Sequence, residues 1–237
     1  KNASYYLTTS ELQLAGYDTY THNLATDTGR GILIYVDNTL QATVCDSELD
    51  GEEQLWLQIR LQDNDILLFG CIYRSPANSI EDDLRLYTSM TNMCKNSVYT
   101  HQLICGDFNP TGVDWDTWVT HDARSQLLIE SIRDCYLFQH VDQPTRQRGN
   151  DDPSLLDLIL TNEENMISEI CYNSPLGFSD HAVISFNYQC YLTHTRDRIL
   201  KYQYHKGNYQ AMRSDLDLDW DTLFTQCQDD PEQQLVI

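Results

Sequence analysis

Basic residues are scarce in this chain of 237 residues, in which 15 Lys and Arg stand against 36 Asp and Glu. The resulting formal net charge of −21 repels polyanions, so contact with nucleic acid requires a local basic patch. No apolar run approaches the ~18 residues needed to span a bilayer, and the polar first residues lack the character of a signal peptide. These absences predict an intracellular protein, in the nucleus or the cytoplasm, with no membrane partner.

Paired cysteine motifs are also missing, because none of the eight cysteines forms a Cys-x-x-Cys pair. Cys71 and Cys105 lie inside apolar runs, which predicts reduced, buried thiols. Hydrophobic residues make up 41% of the chain, which is enough for a core and excludes disorder throughout.

Short apolar, β-branched and aromatic runs typical of strands alternate with two helical patterns. Strands are predicted at 32–36, 54–61, 66–73, 102–105, 155–160, 166–172 and 183–189, and helices at 79–97 and 123–135. The turn at 63–64 favours an antiparallel hairpin between the second and third of these strands. The pattern predicts an α/β (α+β) fold with a mixed sheet, or a sandwich of two sheets, flanked by helices.

The composition changes beyond Thr195. Four basic residues precede a helix-like stretch that begins at Asn208 and leads to an acidic end; they are Arg196, Arg198, Lys201 and Lys206. We therefore predict one domain over residues 1–192 and a connector, or the start of another domain, over 193–237.

Gly106-Asp107-Phe108-Asn109 follows an apolar strand and carries two informative polar residues. Asp107 and Asn109 lie two residues apart, so they project to the same side of an extended chain and offer one charged and one neutral oxygen. Such oxygens suit a hard divalent cation or an attacking water. The hydrolysis of a phosphodiester needs both, together with a donor for the charge of the transition state.

Asp180 and His181 supply a second set of suitable groups. They add a carboxylate and the one side chain whose ordinary pKa lies near neutrality. Asp157 is the single acid in the run Leu155–Leu160. A buried acid is costly without a partner, so Asp157 is the natural candidate to orient His181.

Each of these residues also has an ordinary structural interpretation. Asp107 to Pro110 can form an Asx turn, and Ser179 to His181 can form a cap. Asp157 can cap a helix or bind an arginine, and Tyr73 can belong to the core. The order along the chain favours a site, because polar residues follow several core strands in turn and ligand sites collect at strand ends.

Four motifs together resemble the endonuclease/exonuclease/phosphatase superfamily, and within it the apurinic-endonuclease-like domain of LINE-type (non-LTR) retrotransposons. They are Cys71–Pro76, Gly106–Asn109, Leu155–Leu160 and Ser179–His181, and the resemblance covers residues 10–190. It implies a DNase I-like, four-layered sandwich of two mixed sheets flanked by helices. The segment from Arg198 to Leu223 resembles the connector that leads toward a reverse transcriptase.

The resemblance also implies a role for each residue that matches. Tyr73 contacts the scissile phosphate, Asp107 activates water that Asn109 positions, and Asp157 orients His181. Asp107 and Asp180 belong to the metal site, which takes Mg²⁺, with Mn²⁺ as the other candidate ion. Contacts with the DNA substrate are implied for Arg74, Thr145 and Ser179.

The family pattern begins with two further strands, which carry an Asn and a metal-binding Glu. Neither strand is found in this sequence, and Glu11 lies too far along to replace that Glu. We therefore expect an N-terminally truncated domain with impaired activity. The predicted function is a DNA-nicking endonuclease that primes reverse transcription. Two alternatives stay open, which are a phosphoesterase of the same fold acting on a lipid or inositol phosphate, and a catalytically dead remnant.

Overall fold

The computed structural model describes residues 9–23, 31–45, 53–149, 151–191, 206–220 and 222. The chain divides into two compact units, Lys1–Arg196 and Asp197–Ile237. Arg196, Arg198 and Lys201 lie outside the described residues, and the role of 193–237 as a connector stays a prediction.

The described part of the first unit contains twelve strands and two α-helices. The strands are β1 (Tyr17–Asn23), β2 (Gly31–Asp37), β3 (Ala42–Val44), β4 (Gln54–Arg60), β5 (Ile66–Tyr73), β6 (His101–Asp107), β7 (Val113–Asp114), β8 (Val119–Thr120), β9 (Phe138–Gln139), β10 (Asp157–Thr161), β11 (Ile167–Asn173) and β12 (Val183–Tyr188). The helices are α1 (Ile80–Cys94) and α2 (Ala123–Asp134).

A six-stranded mixed sheet forms the centre of the unit, in the order β3-β4-β5-β6-β10-β9. β4 and β5 form the predicted antiparallel hairpin. β5 and β6 run parallel, and α1 provides the crossover that parallel neighbours require. β10 is antiparallel to β6, so the start of β10 lies beside the end of β6.

Both helices pack on one face of this sheet. The Ser79 hydroxyl accepts a hydrogen bond from the Asp82 amide, and the Asp82 carboxylate accepts one from the Ser79 amide, so α1 begins with a capping box. Asp122 caps α2 by accepting from the Ser125 amide. The core beneath the helices includes Trp56, Ile72, Tyr87, Met90, Ile104 and Leu128, and each such side chain contributes roughly 1.5–3 kcal/mol.

Two antiparallel ribbons are associated with the other face of the sheet. Alternate residues of β2 are buried against β4, namely Ile32, Ile34 and Val36. The β11–β12 ribbon packs against Leu103 and Ile159. Helices, a mixed sheet and a second layer of strands confirm the predicted α/β class.

Some boundaries differ from those that the sequence predicts. α1 ends at Cys94 and not near Ser97, because Lys95 already forms the C-cap. β6 extends to Asp107, so Asp107 lies on a strand and not in the loop. β1 was not predicted, since its sequence YDTYTHN contains little apolar surface.

The second unit contains α3 (Tyr209–Asp215), which begins where the sequence predicts. Asn208 caps it by accepting a hydrogen bond from the Ala211 amide at 3.1 Å. Within the part of the chain that the structure describes, no helix is long and apolar enough to cross a membrane.

Candidate active site

Three polar side chains lie side by side where three neighbouring strands of the central sheet begin or end. Tyr73 at the end of β5 pairs with Asp107 at the end of β6, and Asp107 pairs with Asp157 at the start of β10. Because they occupy equivalent positions on neighbouring strands, their side chains share the face opposite the helices. The structure therefore brings together three residues that the sequence predicts for the site.

Gly106 allows β6 to approach β5 closely just before Asp107. Its φ of +148° lies in a region that L side chains rarely adopt, and an added Cβ would lie 1.8 Å from the Ile72 carbonyl oxygen. Glycine at this position thus determines where the Asp107 carboxylate is placed.

Asn109 occupies a left-handed conformation, with φ of +45°, that Asn tolerates better than most residues. Its amide N–H donates to Asp107 Oδ1 at 3.2 Å, and its side-chain Nδ2 donates to the Arg74 carbonyl at 3.0 Å. Asn109 therefore joins the Asp107 carboxylate to the end of β5.

Arg74 supports Asn109 from inside the protein and is almost completely buried, at 4% exposure. Its Nη1 donates to the Asn109 carbonyl at 2.8 Å, and its Nε and Nη2 both donate to the fully buried Asp83 carboxylate. Arg124 also donates to Asp83, at 2.6 Å. Arg74 was predicted to bind substrate, but in this structure its donors are engaged by the protein and support Asn109.

Asp157 and His181 form the predicted pair. His181 Nδ1 lies 2.8 Å from Asp157 Oδ2, and both side chains are partly buried. A carboxylate at Nδ1 fixes the orientation of the ring and leaves Nε2 as the nitrogen available to a ligand.

Thr145 supports this pair from inside the protein. Its hydroxyl accepts hydrogen bonds from the amides of Leu156 and Asp157 at 3.1 and 3.0 Å, and its carbonyl accepts from the Ala182 amide at 2.7 Å. Thr145 is 1% exposed, so the structure places this predicted substrate residue beneath the site.

Ser179 and Asp180 lie on the exposed turn before His181. The Ser179 hydroxyl accepts from the His181 amide at 3.1 Å, and Arg146 Nε donates to Asp180 Oδ2 at 2.9 Å. The Arg146 hydrogen bond keeps the pKa of Asp180 below its usual value. Asp180 is therefore engaged by Arg146, and its metal role stays a prediction.

Asp107 has the most informative titration behaviour of the predicted residues. Burial, followed by repulsion from Asp157, raises its pKa from the ordinary 3.8 to about 6, although His181 and Asn109 act in the opposite direction. A carboxylate with this pKa is ionised at neutral pH and basic enough to take a proton from water.

The donor set of this cluster fits a divalent cation. Asp107, Asp157 and His181 each offer one ligand atom, and these atoms lie within 4.8 Å of one another. Mg²⁺ and Mn²⁺ prefer carboxylate oxygens, and Mg²⁺ is usually held by one or two of them together with waters and substrate phosphates. Since His181 Nδ1 is directed at Asp157, the two carboxylates are the groups best placed to hold such an ion.

Three supporting residues were not identified from the sequence. Asp83 and Arg124 hold Arg74 as described, and Glu53 bonds to the Ser75 amide and to Asn78 beside the end of β5. Burial raises the pKa of Glu53 above its ordinary value. Asp83 had only the signal of an acid in a first helical turn, while its partner Arg124 lies far along the chain.

Comparison with known families decides the identity of this fold. Residues 67–185 match the model of a family described as endonuclease-reverse transcriptase. The chain belongs to this family. The matched region contains all nine residues that the sequence predicts for the site, so the predicted relation to the endonuclease/exonuclease/phosphatase superfamily is confirmed. No curated protein matches the chain in sequence.

A solved endonuclease domain supports the same fold. The endonuclease domain of TRAS1, a telomere-specific non-LTR retrotransposon, is 20% identical with a TM-score of 0.58, covering 75% of this chain and 80% of that one. The inositol polyphosphate 5-phosphatase domain of SPsynaptojanin is 16% identical with a TM-score of 0.48, covering 74% and 63%. A mannosyl-6-phosphatase of Bacteroides thetaiotaomicron is 12% identical with a TM-score of 0.47, covering 73% and 77%.

Proposed function

We propose that the first unit is a divalent-metal-dependent endonuclease that nicks DNA so that a reverse transcriptase of the same polyprotein can prime synthesis. The observation that carries the proposal is the cluster of Asp107, Asp157 and His181, whose ligand atoms lie within 4.8 Å of one another beside Tyr73. Membership of the endonuclease-reverse transcriptase family supports the choice of substrate.

In this mechanism Asp107 takes a proton from the attacking water. Its raised pKa, about 6, suits a general base at neutral pH. Asn109, fixed by its bonds to Asp107 and Arg74, positions that water. A bound divalent cation would neutralise charge on the phosphate oxygens.

His181 and Tyr73 act on the phosphate. Asp157 holds Nδ1 of His181, so that in the imidazolium form the Nε2 hydrogen donates to a phosphate oxygen as negative charge develops. The Tyr73 hydroxyl contacts the same phosphate from the neighbouring strand. Asp180 and Ser179 are placed on the rim by their turn, where Asp180 would bind metal through water.

A panel of substrates tests the class of reaction. Supercoiled plasmid, single-stranded RNA and inositol phosphates are each incubated with the protein in MgCl₂, MnCl₂ or EDTA. The incubations use high protein concentration and long times. We expect plasmid nicking in MgCl₂ or MnCl₂ but not in EDTA. We expect no comparable release of phosphate from the inositol phosphates.

Matched variants show whether the cluster is responsible. His181→Ala should lower nicking about 10²–10³-fold, the effect of removing a donor to the transition state. His121→Ala, at an exposed histidine that is not a member of the cluster, should leave nicking unchanged. Faster turnover of inositol phosphates than of DNA would support the phosphatase alternative, and no turnover of any substrate would support the dead remnant.

A further inference from the structure

Leu176 and Phe178 form an exposed apolar tip on the turn between β11 and β12. Their side chains are 81% and 109% exposed. A single exposed apolar residue is ordinary on a protein surface. This pair is different because it flanks Gly177 on one turn, and because the same turn continues directly into His181 of the candidate site.

Hydrogen bonds fix the apolar tip with respect to the site. Gly177 adopts φ of +63°, and the Ser179 amide donates to the Leu176 carbonyl at 3.1 Å. The His181 amide donates to the Ser179 hydroxyl, and Arg146 holds the Asp180 carboxylate. The turn therefore presents Phe178 to solvent from a defined place beside His181.

The reach of the apolar tip matches the spacing of DNA. His181 is three positions after Phe178, which limits the distance between their Cα atoms to about 10 Å. One strand of duplex DNA advances about 3.4 Å per nucleotide, so this distance spans roughly three nucleotides. Arg148 is exposed on the neighbouring segment, where Arg146 forms a β-bridge with His181, and could contact the backbone phosphates.

The acidic net charge of the chain favours an apolar contact with DNA over a purely electrostatic one. A chain with formal net charge −21 gains little from general attraction to phosphate. Apolar side chains that enter between base steps bind DNA through a contact that depends little on salt, and they bend the duplex toward more protein surface.

We infer that the apolar tip is a wedge that contacts duplex DNA within about three nucleotides of the scissile phosphate and unstacks a base step there. The inference rests on the proposed nicking function and extends it to substrate selection. Pyrimidine–purine steps unstack most readily, so nicks should concentrate next to them.

The test measures base unstacking without catalysis. Asp107→Asn protein is mixed with duplexes that carry 2-aminopurine at each position within three nucleotides of a mapped nick, because this base fluoresces more strongly when unstacked. We expect a fluorescence increase at one or two positions. Adding Phe178→Ala should abolish the increase and weaken binding about 10-fold, whereas Phe178→Trp should preserve both.

Tyr136→Ala is the matched control. Tyr136 is 84% exposed and precedes β9, which pairs with the end of β10 remote from Asp157, so its loss should change neither signal. If the protein with Phe178 and the Phe178→Ala variant give equal fluorescence and equal affinity, the wedge is overturned, while the proposed nicking function still stands. If wild-type protein neither binds nor nicks duplex DNA, the wedge and the proposed function both fail.

Discussion

Replacing Asp107 with asparagine should stabilise the domain against unfolding while it removes activity. The native carboxyl keeps its proton up to about pH 6, whereas in the unfolded chain it ionises near 3.8. Between these values the native state binds more protons, so the free energy of unfolding falls as pH rises through that window. At pH 7.5 the ionised Asp107 therefore destabilises the fold.

The size of the effect follows from the shift in pKa. A change from 3.8 to about 6, at about 1.36 kcal/mol per unit, corresponds to roughly 3 kcal/mol for a fully buried group. Asp107 is partly exposed, so solvent screening reduces the figure to about 1–2 kcal/mol. Asparagine keeps an oxygen that can accept from the Asn109 amide, and it avoids repulsion from Asp157.

Thermal unfolding in EDTA at several pH values checks this prediction. A domain of this size should gain roughly 2–8 °C in Tm at pH 7.5. The gain should shrink toward pH 4.5, where wild-type Asp107 becomes protonated. Asp151→Asn, at an exposed site, is the matched control and should leave Tm nearly unchanged at pH 7.5. A lower Tm for Asp107→Asn at pH 7.5, or a difference that is constant with pH, would show that the ionised Asp107 carboxylate does not destabilise the fold.

Three further changes test the supports of the site. Gly106→Ala places a Cβ 1.8 Å from the Ile72 carbonyl oxygen, so it should lower the free energy of unfolding, measured by urea titration, by more than about 3 kcal/mol. Gly149→Ala is the control, since its Cβ meets open space. Its φ of +57° should still lower the free energy of unfolding by about 1–2 kcal/mol. Arg74→Gln leaves the buried Asp83 carboxylate with one partner fewer, so it should lower the free energy of unfolding by about 3–5 kcal/mol and reduce kcat. Arg85→Gln is the control. It breaks an exposed ion pair with Asp82 and should lower the free energy of unfolding by under about 1 kcal/mol. Thr145→Val removes the acceptor of two buried amides, so it should cost about 1–3 kcal/mol and lower kcat more than it changes KM, with recovery in Thr145→Ser.

The elements that the sequence predicts well are those with a strong local signal. β5 is an uninterrupted apolar run between turn residues, and its bounds match the prediction. The cap of α1 is visible as Ser79 followed by acids. In contrast, β7, β8 and β9 contain two residues each, too few for any periodicity, and β1 is largely polar.

Roles that depend on distant contacts could not be predicted from local pattern. Arg74 follows a strand end, where a cation commonly faces a ligand, but Asp83 and the carbonyl of Asn109 draw it inward. Thr145 is likewise buried because β10 and the turn at His181 both bond to it. Asp157 could be predicted, because an isolated acid in an apolar run requires a partner.

The rate of plasmid nicking in MgCl₂ by wild type, Asp107→Ala and Asp151→Ala tests whether Asp107 belongs to the catalytic site of a nuclease. We predict nicking by wild type and by Asp151→Ala, and a loss of about 10³-fold or more in Asp107→Ala, since that change removes both a general base and a metal-binding oxygen. Equal nicking by Asp107→Ala and wild type would contradict the assignment of this cluster as the catalytic site.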